Sequence, residues 1–193
     1  MSDLHHELMI AGFGGQGVVL AGKLLAGAAL AEGREVVWAP SYGPEMRGGA
    51  VHCTLIISSD RIGSPEVSQA DSLLIMDRTS LLKFAPRLKP GGLMILNSSL
   101  IAPPWEPGPF DCAQGRPPGD CQVLALPASE AADALGNQRV ANVIMLGAFL
   151  SRRPVVTLAS LIAAMTKTAR EIGAERLLPI NLQALERGVE LAG

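Results

Sequence analysis

Sulfur, aromatic rings and charge of one sign are all scarce in this sequence. Its 193 residues include three cysteines, one tyrosine, two tryptophans and four phenylalanines. An odd set of cysteines, Cys53, Cys112 and Cys121, behind a polar N-terminus "MSDLHHEL" with no apolar core segment argues against a secreted disulfide framework and predicts a reducing, cytoplasmic setting. Basic residues number 16 against 18 acidic ones, a net charge of -2 with no block of like charge, so no electrostatic case for nucleic acid or an anionic membrane exists. Apolar runs such as "VIMLGAFL" fall far short of the roughly 18 residues that a membrane span requires. His5 and His6 are adjacent imidazoles without a third ligand nearby, so no metal site is expected.

Apolar aliphatic residues are plentiful instead. The hydrophobic fraction is 48%, the charged fraction 18% and the mean hydropathy +0.29, an apolar balance for a chain of this size. The length fits one well-cored domain, and some of the apolar surface is expected to meet another chain.

"ELMIA", Glu7 to Ala11, reads as a buried strand, and "VVLAGKLLAGAALAEG" has helical length and a glycine at its end. "EVVWAP" and "AVHCTLIIS" (Ala50 to Ser58) give two more strands, and "SLLIMD" (Ser72 to Asp77) and "LMILN" are continuous apolar runs typical of strands covered on both faces. Between those two runs "TSLLKFAPRLKPGG" reads as helical, with Asp77 as the cap of a helix starting near Thr79. The segment from Ala102 to Cys121 holds six of the 14 prolines and reads as a loop inserted within one domain, with "QVLALP" as the strand beyond it. From Ala128 onward the pattern is helical, and Leu182, Leu185 and Val189 mark an apolar face on the last helix. These elements predict an α/β fold: a three-layer α/β/α, Rossmann-like domain with a mostly parallel sheet and a helical C-terminal third.

Two glycine-rich stretches stand out. Gly12, Gly14 and Gly17 form G-x-G-x-x-G between a strand and a helix, but Trp38, Ala39 and Pro40 stand where a dinucleotide fold needs a ribose-binding acid at the end of the second strand. Gly17 to Lys23 form G-x-x-x-x-G-K, but Leu24 replaces the required hydroxyl and "VVLA" is helix-like. What remains is a turn that lets something approach closely at a helix start whose amides favour an anion, or a turn packed tightly against a neighbouring loop or subunit.

The second stretch, "SYGPEMRGG", follows the second strand at an edge where such sheets place ligands. Glu45 and Arg47 form either a weak local ion pair on a surface turn or, for Arg47, a contact to an anion or a partner carboxylate.

"GFGGQGVVLAGKLLAGAAL", "SYGPEMRGGAVHCTLIIS", "PGGLMILNSSL" and "LPASEAADALGNQRVANVIMLGAFL" follow one another as in the gamma subunit of 2-oxoacid:ferredoxin oxidoreductases, and "NLQALERG" resembles its C-terminal helix. The resemblance covers residues 1–193 as a single gamma-type domain, lapsing only in the loop 102–121. "SYGPE" resembles the 2-oxoglutarate type more than the indolepyruvate type, and pyruvate and ketoisovalerate relatives share much of the pattern.

The resemblance implies a subunit of an enzyme that oxidatively decarboxylates a 2-oxoacid to an acyl-CoA while reducing ferredoxin, the isolated chain being inactive. It implies that thiamine diphosphate, its magnesium and the iron-sulfur clusters belong to partner subunits, alpha, beta and in some complexes delta, with CoA as substrate. The cysteines agree, since Cys112 and Cys121 are nine apart and Cys53 is distant, which is no cluster spacing. No catalytic residue is assigned. The expected contact to CoA or to another subunit is made by Gly12, Gly14, Gly15, Gln16 and Gly17, with Lys23 as a phosphate candidate. Ser41, Tyr42, Gly43 and Glu45 join it from the second stretch, with Arg47 as its charge and Gly48 and Gly49 permitting approach. Arg139 and Asn142 are expected to brace helices or a subunit contact. The alternatives are a stand-alone Rossmann-type nucleotide-binding oxidoreductase and a homodimeric interaction module.

Overall fold

The computed structural model describes residues 4–42, 50–103 and 120–193. In chain order the elements are β1 (His5–Phe13), α1 (Val18–Ala31), β2 (Glu35–Tyr42), β3 (Ala50–Ser58), β4 (Ala70–Ile75), α2 (Arg78–Phe84), β5 (Leu88–Asn97), β6 (Gln122–Leu126), α3 (Ala128–Ala134), α4 (Ala141–Arg152), α5 (Leu158–Glu171) and α6 (Leu178–Ala192). The strands form one sheet in the order β2-β3-β1-β4-β5-β6. Pairings β1/β4, β4/β5 and β5/β6 are parallel, while β3 runs antiparallel to both β1 and β2. The mostly parallel sheet expected from the sequence is therefore present, with β3 as its one reversed strand. Only residues 43–49 separate β2 from β3, too few for the crossover that a parallel neighbour would need.

The pleat sends alternate residues of each strand to opposite faces. Leu8, Ile10, Leu55, Leu74 and Ile95 point into a core built with α1, α3, α4, α5 and α6. Met9, Ala11, Ile56, Leu73, Ile75, Met94 and Leu96 point to the other face, which α2 covers through Leu81 and Phe84. The three layers are thus unequal. Helix α4 lies deepest, with every residue from Ala141 to Leu150 buried, as a helix apolar on all sides must be. No helix among the described residues is long and apolar enough to cross a membrane.

Three local expectations change. The helix after Asp77 stops at Phe84, because Pro86 follows and forces a short 3-10 turn over Ala85–Arg87. Leu88 to Gly92, read as helical, instead open β5 with an irregular register, since Ala70 pairs with Leu88 but Ser72 with Leu93. Asp77 does cap α2, its Oδ1 accepting from the Ser80 N–H at 3.0 Å and its Oδ2 from the Ser80 hydroxyl at 2.8 Å. Second, β2 runs on through Ser41 and Tyr42, and Pro40 is tolerated there because β2 is an edge strand. Third, the buried face of α6 is Ala184, Leu185, Gly188 and Ala192, while Leu182 and Val189 lie half-buried beside Leu158 and Ile162. Leu185 is buried as expected, and close approach to α4 adds the small Ala184, Gly188 and Ala192 to the core face in place of Leu182 and Val189.

At the N-terminal edge of the sheet the buried His6 ring sits 5.8 Å from Phe149, with Nε2 3.2 Å from the Ser72 hydroxyl. Burial lowers its pKa below the usual 6.5. The unfolded chain therefore binds the proton more readily, so His6's contribution is complete above pH 6.5 and is lost as pH falls from 6.5 toward the lower folded value. His52 is lowered in the same way by burial, then by Lys83 and Arg87, and adds to that slope. The urea midpoint is expected to fall between about pH 7 and pH 5, and His6→Leu to flatten part of that fall. An unchanged slope in the variant would contradict this assignment.

Candidate functional site

The chain leaves β1 through α1 toward β2 on one side, and β4 lies on the other, so the order of strands reverses between β1 and β4. In open α/β sheets ligands bind in the crevice outside the strand ends at such a point. A cleft of about 530 Å³ lies there. Phe13, Gly14, Gly15 and Gln16 form its first wall, Met76, Ser99 and Leu100 its floor at the ends of β4 and β5, and Ser129, Glu130, Asp133, Gln138 and Arg139 the wall opposite.

The first wall is a glycine turn whose shape follows from what its glycines avoid. A Cβ at Gly12 would lie 2.4 Å from Gln16 Oε1, 2.9 Å from Val18 Cγ2 and 3.1 Å from Met76 Cβ. Gly15 and Gly17 have φ of 104° and 76°, the left-handed region that side chains avoid. Gln16 turns inward: its Oε1 accepts from the Phe13 N–H at 2.9 Å and its Nε2 donates to the Met76 carbonyl at 3.4 Å. It is an internal strut of the turn. Asn97, fully buried, donates from Nδ2 to the Ser129 hydroxyl at 2.8 Å and to the Met76 carbonyl at 3.5 Å, and so ties the floor to α3.

Helix α1 starts at Gly17 with no side-chain cap and no acidic residue in its first turn. Its exposed start borders a second recess of about 340 Å³ lined by Phe13, Gly14, Gly15, Gly17 and Leu20, with Val51 from β3. Phe13, 41% exposed, stands between the two recesses.

Register places the second stretch beside this turn. Gly12 faces Val51 and Val51 faces Tyr42, so the backbone of Tyr42 lies about 10 Å from Gly12, two strand spacings away. Ser41 is likewise in line with His52 and Ala11. Gly43, Glu45, Arg47, Gly48 and Gly49 lie outside the described residues, as does Cys112. Lys23 is not brought to the turn. It is exposed in a separate groove between α1 and α5, with Trp38, Lys167 and Glu171.

The ribose-acid test rested on a β2 adjacent to β1, and here β3 stands between them, so an acid at Trp38–Pro40 would be out of reach of the turn. The carboxylates that do border the turn, Glu130 and Asp133, come from α3 and were not singled out from the sequence. Their signal was faint: acids in a short helix after the last strand. Asn142 does brace as expected, donating from Nδ2 to the Gly17 carbonyl at 3.0 Å. Arg139, expected to brace helices or a subunit contact, lines the cleft.

Cys53 is an inert thiol: burial pushes its pKa up to about 12, and Sγ lies 3.5 Å from the Val18 carbonyl. Cys121 is buried too, and burial raises its pKa. Among the described residues no group of three or more His, Cys, Asp or Glu is placed to hold a metal. The cleft offers hydroxyls, an amide, two carboxylates, a guanidinium and glycine backbone, which suits binding rather than nucleophilic chemistry.

This architecture has known counterparts. The gamma subunit of the keto/oxoacid ferredoxin oxidoreductase of Geobacter sulfurreducens superposes with a TM-score of 0.78 at 31% identity, covering 97% of this chain and 98% of that one. The 2-oxoglutarate:ferredoxin oxidoreductase of Magnetococcus marinus superposes at 0.82 over the whole chain and 31% of its own, and at 21% identity it shows the fold alone. In sequence, subunit KorC of 2-oxoglutarate synthase from Methanothermobacter thermautotrophicus is 35% identical over 193 residues, covering 99% of this chain and 97% of that protein. Ketoisovalerate oxidoreductase subunit VorA of the same organism is 36% identical over 189 residues, 96% of this chain but 36% of VorA, so the chain spans little more than a third of that relative's length. The pyruvate ferredoxin/flavodoxin oxidoreductase model matches residues 7–191, and the chain belongs to that family.

Proposed function

We propose that residues 1–193 act as one gamma-type domain, the gamma subunit of a thiamine-diphosphate-dependent 2-oxoacid:ferredoxin oxidoreductase, with 2-oxoglutarate as the 2-oxoacid. The similarity to KorC along nearly the full length of both chains supports that substrate. Thiamine diphosphate, magnesium and the iron-sulfur clusters reside on the alpha, beta and, where present, delta subunits, and the thiamine supplies the carbanion chemistry of decarboxylation. The complex works in the cytoplasm and passes electrons to ferredoxin; the chain alone is inactive and homodimeric.

The observation that carries this reading is the open glycine turn at the switch-point cleft, whose lining among the described residues is of binding groups. Gly14, Gly15 and Gly17 present backbone to an approaching group, whereas Gly12 is buried under Gln16 and, with it, holds the turn's shape. Arg47, whose segment starts and ends on strands beside the turn, supplies charge to a CoA phosphate or to a partner subunit. Ser41, Tyr42, Gly43, Glu45, Gly48 and Gly49 shape that contact, whereas Lys23 faces another groove and is left out of it. Arg47→Ala is expected to raise the KM for CoA about tenfold, the cost of one charge-assisted contact, or to weaken assembly. If neither assembly nor the KM moves, this part of the site is wrongly assigned.

A further inference from the structure

The two walls of the cleft come from distant segments of the chain, and the Asn142 side chain links the helix behind one to the end of the turn that forms the other. Asn142 sits in the first turn of α4, 2% exposed. Its Nδ2 donates to the carbonyl of Gly17, 125 residues away, at 3.0 Å. Gly17 is the start of α1 and its carbonyl also accepts from the Ala21 N–H at 2.9 Å, so Asn142 grips the residue where the glycine turn becomes helix. The fit is close: a Cβ on Gly17 would lie 2.4 Å from that same Nδ2. The other wall is fixed to α4 directly. Gln138–Val140 form a 3-10 turn running into α4, and Asn137 Oδ1 accepts from the Arg139 N–H at 3.1 Å, which holds the turn that presents Gln138 and Arg139 to the cleft.

We propose that Asn142 is a positioning residue that sets the distance between the glycine turn and the Gln138–Arg139 wall, and thereby the affinity of the cleft for its ligand. The proposal rests on the reading that this cleft meets CoA. Gln16 and Asn97 both bond the Met76 carbonyl, and Asn97 also bonds Ser129, so they tie the turn and α3 to the floor of the cleft. Asn142 ties the Gly17 end of the turn to α4, into which the Gln138–Arg139 wall runs, so loss of its donor lets the turn and the first turn of α1 drift away from Arg139 while the core face of α4 remains packed.

Asn142→Asp keeps the shape and removes the donor; Asn142→Ser keeps a donor but removes the reach. In the assembled enzyme both are expected to raise the KM for CoA about tenfold, the effect of losing one buried hydrogen bond, with kcat within about twofold. Hydrogen exchange should quicken over residues 14–20 and stay unchanged over α6. This last readout applies equally to the full chain alone if a variant fails to assemble. Gly15→Asp places a carboxylate in the cleft with nothing within 4 Å of its Cβ, and Gly15→Ala carries the same left-handed backbone strain without the charge, so a rise in KM measured against Gly15→Ala reports on the CoA reading separately. If Gly15→Asp raises the KM and the Asn142 variants do not, the positioning role is wrong and the CoA reading stands. If none of the three changes it, both fail. Faster exchange along α4 and α6 with equal losses in kcat and KM would make Asn142 an ordinary structural brace and overturn the proposal.

Discussion

Gly188→Ala is expected to lower the melting temperature by about 10 °C, because overpacking of this kind costs about 3 kcal/mol and each kcal/mol shifts a domain of this size by a few degrees. The added Cβ would stand 2.0 Å from the carbonyl oxygen of Ile144, 2.8 Å from its carbon and 3.0 Å from the nitrogen of Ala148. All three atoms are backbone, so no rotamer change relieves the contact. The partner helix is arranged the same way, a Cβ on Gly147 falling 2.2 Å from the Leu185 carbonyl oxygen. Helices α4 and α6 therefore cross with glycine on both sides of the contact. Separating them would also strip packing from α4, whose residues Ala141 to Leu150 are all buried. Thermal melting followed by circular dichroism measures the effect; a shift of under about 2 °C would mean the helices lie farther apart than described.

Gly12→Ala is the change expected to damage function most. Gly12 lies in β1, where alanine is conformationally acceptable, so the effect is one of space alone. The new methyl takes the position of Gln16 Oε1, breaking the bond from the Phe13 N–H, and also presses on Val18 and Met76. Gln16 cannot swing aside without giving up its bond to the Met76 carbonyl as well. We expect a loss of about 1 to 3 kcal/mol in stability and, because the turn no longer holds its shape, a fall of tenfold or more in kcat/KM for CoA, each factor of ten being about 1.4 kcal/mol. Gly15→Ala is the control: its Cβ meets nothing within 4 Å, and only the left-handed backbone, at roughly 1 to 2 kcal/mol, opposes it. Equal falls in kcat/KM for CoA in the two variants would show that packing under the turn is not what excludes a side chain at Gly12.

Much of the fold was legible in local pattern. The bounds of β3 match the apolar run Ala50 to Ser58 read from the sequence, and Asp77 caps α2 as its position after a buried strand implied. The helix beyond Asp77 was overextended because "LLKFAPRL" keeps a helical pattern of apolar residues up to Pro86, while the start of β5 is irregular and alternates poorly. Strand order was less accessible. Nothing local in "AVHCTLIIS" announces that it will insert between β1 and β2, since that choice is made by pairing along both of its edges. The site was half visible for the same reason. The glycines between residues 12 and 17 are close together and stand out, whereas the opposite wall of Glu130, Asp133, Gln138 and Arg139 becomes part of the cleft only when the chain after β6, a strand separated from β1 by β4 and β5, folds back to the turn. Lys23 illustrates the converse error: close to the turn in sequence, it is carried by the helix into a different groove.

The central claim is that this chain works as the gamma subunit of a thiamine-dependent 2-oxoacid oxidoreductase. Affinity purification of the tagged chain from its native extract, with identification of the proteins retained and assay of the eluate, tests it most directly. The account predicts that thiamine-diphosphate-binding subunits co-purify and that the eluate reduces ferredoxin only when both 2-oxoglutarate and CoA are present. Recovery of the chain without any thiamine-diphosphate-binding subunit, with NAD or FAD bound tightly to it instead, would contradict the account and favour a nucleotide-binding oxidoreductase acting alone.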